Sequence, residues 1–287
     1  MRSVVVTGAN SGIGRAAVIA LARSGLDVIG TVRTEEKAGE FTASLRDADV
    51  SARTVLLDVA DPKSCEAAFA EIDELTAGGP WAVVNNAGVQ LMGAVEDVTD
   101  DEARHILEVN LLGAARVCRW ALPAMRRRGA GRIVNVTSLA GLMAAPFNGW
   151  YAASKHGLEA LSDSLRMENA RFGVRVSLVE PGYYETRMIP LGAGRLMRLA
   201  TEGDSSHQNA YVVALGGLAR RRPFPPAEEA ADAIRRAVGE RRPAARYRVG
   251  RETLFVRAAR CVPSALTDGL LRRAAGLYGP VPPGLGG

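Results

Sequence analysis

Strands alternating with helices along most of 287 residues predict an α/β fold, a doubly wound parallel sheet of about seven strands with helices on both faces. Three observations carry this. Short apolar runs recur between helical patterns, and those runs are apolar on both faces, as strands covered on both sides must be. A glycine-rich turn, Thr7-Gly8-Ala9-Asn10-Ser11-Gly12-Ile13-Gly14, joins the first strand to the first helix. Apolar residues make up 47% of the chain, enough for one sizeable core. Residues 1–287 therefore read as a single dinucleotide-binding domain, with an insertion at about 187–226 and a C-terminal extension at about 251–287.

Ser3–Thr7 is the first strand, and Arg15–Ser24 continues with helical spacing of Ala16, Ala17, Ala20 and Leu21 to a stop at Gly25. Asp27–Arg33 is the second strand. This opening β-α-β unit is of the kind that binds dinucleotides. One glycine turns the chain sharply, one lets the backbone approach a pyrophosphate, one lets the helix pack on the strand, and amides at the helix start face the phosphate. Thr54–Leu57 is a third strand ending at Asp58 and Val59, and Pro62–Leu75 is a helix with proline near its start. Ala82–Val84 is a strand running into Asn85-Asn86-Ala87-Gly88. One long helical pattern spans Asp101–Met125, and the cations of Arg126-Arg127-Arg128 before Gly129 suit its C-terminal end. Ile133–Val136 is a strand with Ser138 just beyond it, Tyr151–Phe172 a helix, and Val174–Val179 a strand closing on Glu180-Pro181-Gly182. Met188–Leu218 is rich in Met, Leu and Gly, lacks a clear strand, and reads as a mobile segment over the site. Pro223-Phe224-Pro225-Pro226 punctuates it before a helix over Ala227–Val238. Tyr247–Val249 supplies a last strand, and the chain from Val281 on reads as a frayed tail. Ligands of such sheets bind beyond the carboxyl ends of the strands, where every one of these motifs falls.

The net charge is +5 and the pI about 9.4, but the basic residues are dispersed among acids with few aromatics between them. Nucleic acid is therefore not an expected partner. No stretch approaches the roughly 18 apolar residues of a membrane span, and Met1-Arg2-Ser3 leads straight into a β-like run, so a cytoplasmic protein is expected. Leu254–Leu277 does mix apolar residues and arginine in a helical rhythm, the pattern of a helix lying on a membrane surface. Membrane contact is nonetheless not expected. Cys65, Cys118 and Cys261 are scattered, and His105, His156 and His207 form no ligand cluster, so no metal site is expected.

Tyr151 and Lys155 share one helix face about a turn apart. A cation fixed beside a phenol favours the phenolate and lowers a pKa that is otherwise near 10. A lowering of about 3 units needs about 4 kcal/mol, more than one exposed charge supplies, so a second cation or a donor should lie close. With the glycine motif, Asn85-Asn86-Ala87-Gly88, Asn110, Ser138 and Tyr151-Ala152-Ala153-Ser154-Lys155, the chain from roughly Ser3 to Thr186 resembles the short-chain dehydrogenase/reductase family. More loosely, Val179-Glu180-Pro181-Gly182 and Tyr247-Arg248-Val249-Gly250 resemble its branch of 17β-hydroxysteroid and retinol dehydrogenases.

The resemblance implies a Rossmann domain and an NAD(P)(H)-dependent oxidoreductase that interconverts a ketone and a secondary alcohol. It gives Tyr151 the transferred proton, Ser138 a hydrogen bond to the same oxygen, Lys155 the nicotinamide ribose and the lowering of the tyrosine pKa, and Asn110 a water joining the lysine to solvent. It places Gly8, Gly12, Ile13 and Gly14 in the cofactor-binding turn, with the Ser11 hydroxyl toward a 2′-phosphate, Asp58 at the adenine amino group with Val59 next to it in the cofactor site, and Asn85, Ala87 and Gly88 along the adenosine. Pro181, Gly182, Tyr184 and Thr186 fall in the loop that fixes the nicotinamide amide. At the end of the second strand Val32 replaces an acid that would bind a ribose 2′-hydroxyl, and Arg33 suits a 2′-phosphate. NADP(H) is thus the preferred cofactor and NAD(H) the other choice, with Glu35 or Glu36 as a substitute acid. Leu91, Met92, Met143, Phe147 and Tyr183 surround the reacting carbonyl and favour a hydrophobic substrate. The helix over Asp101–Met125 carries Ile106, Leu107, Val109, Leu111, Leu112, Val117, Trp120 and Leu122, more apolar surface than one packed face requires, which points to a homodimer or homotetramer. Some relatives keep this fold as sensors or scaffolds without catalysis, but usually lose the tyrosine or lysine that this chain keeps.

Overall fold

The computed structural model describes residues 2–221, 223–259 and 261–278; the tail from Val281 lies outside them. Seven strands form one sheet: β1 (Ser3–Thr7), β2 (Asp27–Val32), β3 (Arg53–Leu56), β4 (Ala82–Asn85), β5 (Gly131–Val136), β6 (Val174–Pro181) and β7 (Arg246–Val249). Their order is β3-β2-β1-β4-β5-β6-β7, and every pairing is parallel. The winding reverses between β1 and β4, which opens a crevice at the carboxyl edge of the sheet there.

The first half of the chain supplies α1 (Gly12–Arg23), α2 (Glu35–Asp47), α3 (Pro62–Thr76), α4 (Asp100–Leu107) and α5 (Ala114–Arg128). The second supplies α6 (Gly149–Asn169), α7 (Met188–Thr201), α8 (Gln208–Ala219), α9 (Glu228–Gly239), α10 (Glu252–Ala259) and α11 (Ser264–Ala274). Strand alternation sorts the core into two layers. Val4 and Val6 of β1 pack with Val18 and Leu21 of α1, Phe41 of α2 and Ile234 of α9. Val5 points the other way, to Phe69 and Ile72 of α3 and Val117 and Met125 of α5. Burial of each such side chain contributes about 1.5–3 kcal/mol, which explains strands as uniformly apolar as Ser3–Thr7.

Three elements differ from the sequence reading. The segment after β2, left unassigned by periodicity, is helix α2: Thr34 caps it by accepting from the Lys37 amide at 3.3 Å, and only Phe41 and Leu45 are buried. Two apolar anchors make too thin a stripe to read as amphipathic. The single long helix is interrupted, since Glu108–Gly113 widens into π-helix between α4 and α5, a device that turns one side chain out of the regular register. Finally, Met188–Leu218 holds no strand and folds as the packed pair α7 and α8. Leu196 and Tyr211 are fully buried there with Ala94, Phe147 and Ala275, the Ala94 amide donates to the Tyr211 hydroxyl at 2.9 Å, and Arg195 reaches Glu102 Oε2 at 2.8 Å. Among the described residues no helix is long and apolar enough to cross a membrane.

Candidate active site

The loop from β1 to α1 is built for close approach. Gly8 and Gly12 take positive φ, +67° and +52°, a region that suits glycine. A Cβ on Gly14 would lie 2.2 Å from the Gly8 oxygen and 2.4 Å from Asn86 Nδ2, so the helix start and the loop fit only without a side chain. Ser11 is the N-cap of α1, yet its side chain makes no capping bond, and Ile13 packs on the core beneath. A Cβ on Gly12 would meet Thr186 Cγ2 at 3.1 Å, which brings the Pro181–Thr186 loop against the glycine turn.

Asn86 and Thr7, which the motif contains but which carry no assigned role above, hold this loop to the end of β4. Asn86 Nδ2 donates to the Thr7 and Gly8 oxygens at 2.9 and 3.2 Å, while Thr7 Oγ1 accepts from the Asn86 and Ala87 amides, both at 3.0 Å. Asn85, expected along the adenosine, turns its amide inward instead. It donates to Asn135 Oδ1 at 2.8 Å and to Cys118 Sγ at 3.2 Å, because strand alternation aims it at the α5 layer and the next residue at the glycine loop. The Tyr184 side chain is likewise occupied, its hydroxyl donating to Glu229 Oε2 at 2.6 Å; only its backbone is left for a ligand. Asp58 Oδ1 accepts from the Ala60 amide at 3.0 Å, and Val59 is buried against Gly113. At the end of β2, Val32 is buried and Arg33 is exposed, with no bonded partner among the described residues.

Ser138, Tyr151, Lys155 and Asn110 converge beyond β4 and β5. Ser138 Oγ accepts from the Ala140 amide at 3.1 Å and lies near enough to the Tyr151 phenol to favour its ionised form. Lys155, buried on the same face of α6, donates to the Val136 oxygen at 3.0 Å with Nζ 5.8 Å from the Tyr151 ring centre. The π-turn points Asn110 inward: Nδ2 donates to the Val89 oxygen and to Ser154 Oγ, both at 3.0 Å, and Oδ1 accepts from the Val89 amide at 2.8 Å. Both amide hydrogens are therefore committed to protein, which leaves the side chain no donor for the water that the resemblance implies.

The electrostatics of the protein alone reverse one expectation. Tyr151 sits among Leu91, Ile106, Ala140 and Ala152, and this burial pushes its phenol up to about 12, with the nearby Ser138 hydroxyl opposing. Burial also pushes the Lys155 ammonium down to about 8, with Glu159 opposing. Lys155 thus does not hold the tyrosine below its ordinary value, since its own charge is weakened by the same dry surroundings.

Of the residues expected around the carbonyl, Leu91 is buried with Tyr151, whereas Phe147 is buried in the separate cluster of Leu196 and Tyr211 and Met92 lies against Gly192 of α7, whose added Cβ would meet its sulfur at 2.9 Å. Tyr183 stacks on Phe224 with centres 6.1 Å apart. Phe147 takes φ +64°, which costs a non-glycine residue about 1–3 kcal/mol and is found where packing overrides local preference. Here Tyr211 packs edge-on at 4.7 Å and the Gly93 amide donates to the Phe147 oxygen at 2.9 Å. Positive φ has no signature in a phenylalanine, so the sequence did not mark it.

The short chain dehydrogenase family model matches residues 2–191. An Escherichia coli (strain K12) protein called uncharacterized oxidoreductase YbbO is 32% identical over 272 residues, covering 94% of both chains. The 17-beta-hydroxysteroid dehydrogenase type 6 of Rattus norvegicus is 40% identical over 187 residues, 64% of this chain and 57% of that one. Among solved structures, an actinorhodin polyketide ketoreductase with NADPH is 31% identical at a TM-score of 0.72, over 88% of this chain and 96% of that one. A parallel sheet crossed at its switch point by a glycine cradle, with serine, tyrosine and lysine gathered beside it, thus comes with matching relatives along nearly the whole chain, and the protein belongs to the short-chain dehydrogenase/reductase family of NAD(P)-dependent oxidoreductases.

Proposed function

We propose that this enzyme interconverts a hydrophobic ketone and its secondary alcohol with Tyr151 as the proton donor and acceptor, and that it prefers NADP(H). The observation that carries the reading is the Ser138–Tyr151 hydroxyl pair in an apolar wall beside Lys155. Burial keeps the phenol protonated at neutral pH, a positive charge brought beside it would lower its pKa and let the proton move, and two neighbouring hydroxyls would stabilise and protonate a carbonyl oxygen as charge builds on it. The nicotinamide dinucleotide, when bound, supplies or accepts the hydride. Gly8, Ser11, Gly12, Ile13 and Gly14 would hold its pyrophosphate, and the fit is supported by the positive φ of Gly8 and Gly12 in the turn that leads into α1. Asp58, Val59, Ala87 and Gly88 would line the adenosine, while Pro181, Gly182, Thr186 and the Tyr184 backbone would border the nicotinamide. Lys155 would bind the ribose, and the second cation that the tyrosine needs for phenolate formation would be the oxidised ring.

Arg33 supports the choice of NADP(H), because an unpaired exposed guanidinium after a neutral Val32 offers a phosphate a fork of donors. The apolar wall of Leu91, Met92, Phe147 and Tyr183 supports a hydrophobic substrate. Loss of nicotinamide absorbance against a panel of hydrophobic ketones tests both parts when run with NADPH and NADH on wild type and Arg33→Ala. The expected result is turnover with a preference for NADPH that falls by one to two decades in kcat/KM in the variant, the worth of a charged hydrogen bond. Equal loss with both cofactors would remove Arg33 from the phosphate. No turnover with any ketone, in a protein that still binds the cofactor, would favour a sensor or scaffold.

A further inference from the structure

The net charge of the chain is unevenly placed. Residues 1–186 hold 19 Lys and Arg against 23 Asp and Glu, whereas residues 187–287 hold 17 arginines against eight carboxylates, an excess of nine positive charges. The same third carries most of the exposed apolar bulk, with nine of the 16 exposed large apolar side chains among the described residues.

These two features meet on α11. Leu266 and Leu270, 62% and 63% exposed, are one turn apart, and Arg273 continues the same face. The Arg273 guanidinium lies 5.1 Å from the ring of Tyr278, itself exposed. Asp268, the one carboxylate of the helix, stands two residues on from Leu266 and so about 200° around the axis. Phe255 on α10 and Val262 just before α11 add exposed apolar surface. The stripe is anchored and not loose: Ala275 is buried with Leu196 and Tyr211, and Gly276 abuts Val213 of α8.

We propose that this C-terminal face docks the enzyme on the surface of an anionic lipid bilayer. Leucines along one side with arginine and tyrosine at its end match a helix lying in the interfacial plane, the leucines entering the acyl boundary and the cations meeting the headgroups. A second copy of this chain is a poorer occupant, because it would bring an equal excess of positive charge against the first. The site does not depend on which ketone is reduced, although α11 is joined to the α7–α8 pair beside the apolar wall, so docking would set that wall near the membrane.

Flotation of the full chain with phosphatidylcholine vesicles and with mixed phosphatidylcholine and phosphatidylglycerol vesicles tests the proposal. Binding to the mixed vesicles is expected, weakened at least about ten-fold on pure phosphatidylcholine and reduced by salt. Leu266→Glu with Leu270→Glu should lower binding to mixed vesicles at least about ten-fold, as should Arg272→Glu with Arg273→Glu. All four side chains are exposed, so circular dichroism, melting temperature and mass by light scattering should not change. Wild type left unbound on anionic vesicles would overturn the proposal, and so would a leucine variant that floats like wild type. A leucine variant of lower mass than wild type would assign the face to a second copy instead.

Discussion

At the scale of single residues the decisive pair is Tyr151 and Lys155, each displaced from its ordinary ionisation by the same burial. Tyr151→Phe removes the transferable proton and little else, so turnover is expected to fall about 100- to 10,000-fold with cofactor affinity within a few-fold. Near-normal kcat in the folded variant would refute proton transfer by Tyr151. Lys155 makes a separate prediction through stability. Its folded pKa of about 8 lies below the ordinary 10.5, so between those pH values the unfolded chain binds more protons and stability rises with pH. Buried cysteines and Tyr151 are pushed the other way, Cys118 and Tyr151 both to about 12, and lose stability as pH climbs past their unfolded values. The lysine is isolated by comparison with Lys155→Met. The variant should be the more stable protein at pH 7, and wild type should gain on it by up to about 1.4 kcal/mol per pH unit between pH 8 and 10.5 in urea titrations. A difference that does not vary with pH would place the ammonium in water. None of this was readable from the Tyr-x-x-x-Lys spacing, which brings the two groups together but says nothing of the leucine and isoleucine that dry them.

Among elements, the glycine turn was legible because its chemistry is local: a positive φ and a close helix approach demand glycine whatever the distant sequence does. Gly14→Ala should weaken NADPH and NADH binding about ten- to hundred-fold, the equivalent of 1–3 kcal/mol of overpacking, as read by fluorescence titration. Unchanged affinity for both would move the pyrophosphate elsewhere. The partner of that turn was less legible. Asn85 and Asn86 look alike in sequence, and only the pleat of β4 sends the first into the core and the second to the Thr7 and Gly8 oxygens. Asn86→Ala is therefore expected to lower both the melting temperature and cofactor affinity, the loss of two hydrogen bonds near 1 kcal/mol each; an unchanged protein would show the loop to be held by Thr7 alone. Helix α2 and the α7–α8 pair escaped periodicity for opposite reasons, one having two apolar anchors and the other apolar residues nearly all round.

For the whole molecule, the apolar excess on the helix through Asn110 shrinks once the fold is seen. Ile106, Val109, Val117 and Leu122 are buried within the chain itself, and Leu112 and Trp120 remain exposed, at 48% and 42%, with Met167 on α6 at 69%. A homodimer or homotetramer through α5 and α6 is still the expected state. Light scattering at micromolar concentration should give a multiple of the monomer mass, halved or quartered by Leu112→Glu with Met167→Glu; a wild-type monomer would end the idea. The sequence by itself determined the alternation of strands and helices, the parallel sheet and the glycine turn, because these rest on repeats of two and 3.6 residues and on backbone shapes that single residue types favour; the serine, tyrosine and lysine were singled out by the resemblance of their motifs to a family. Only the tertiary structure decided which asparagine holds the loop, how dry the tyrosine is, and which leucines the core consumes, because each of those depends on what residues far apart in the chain place against one another.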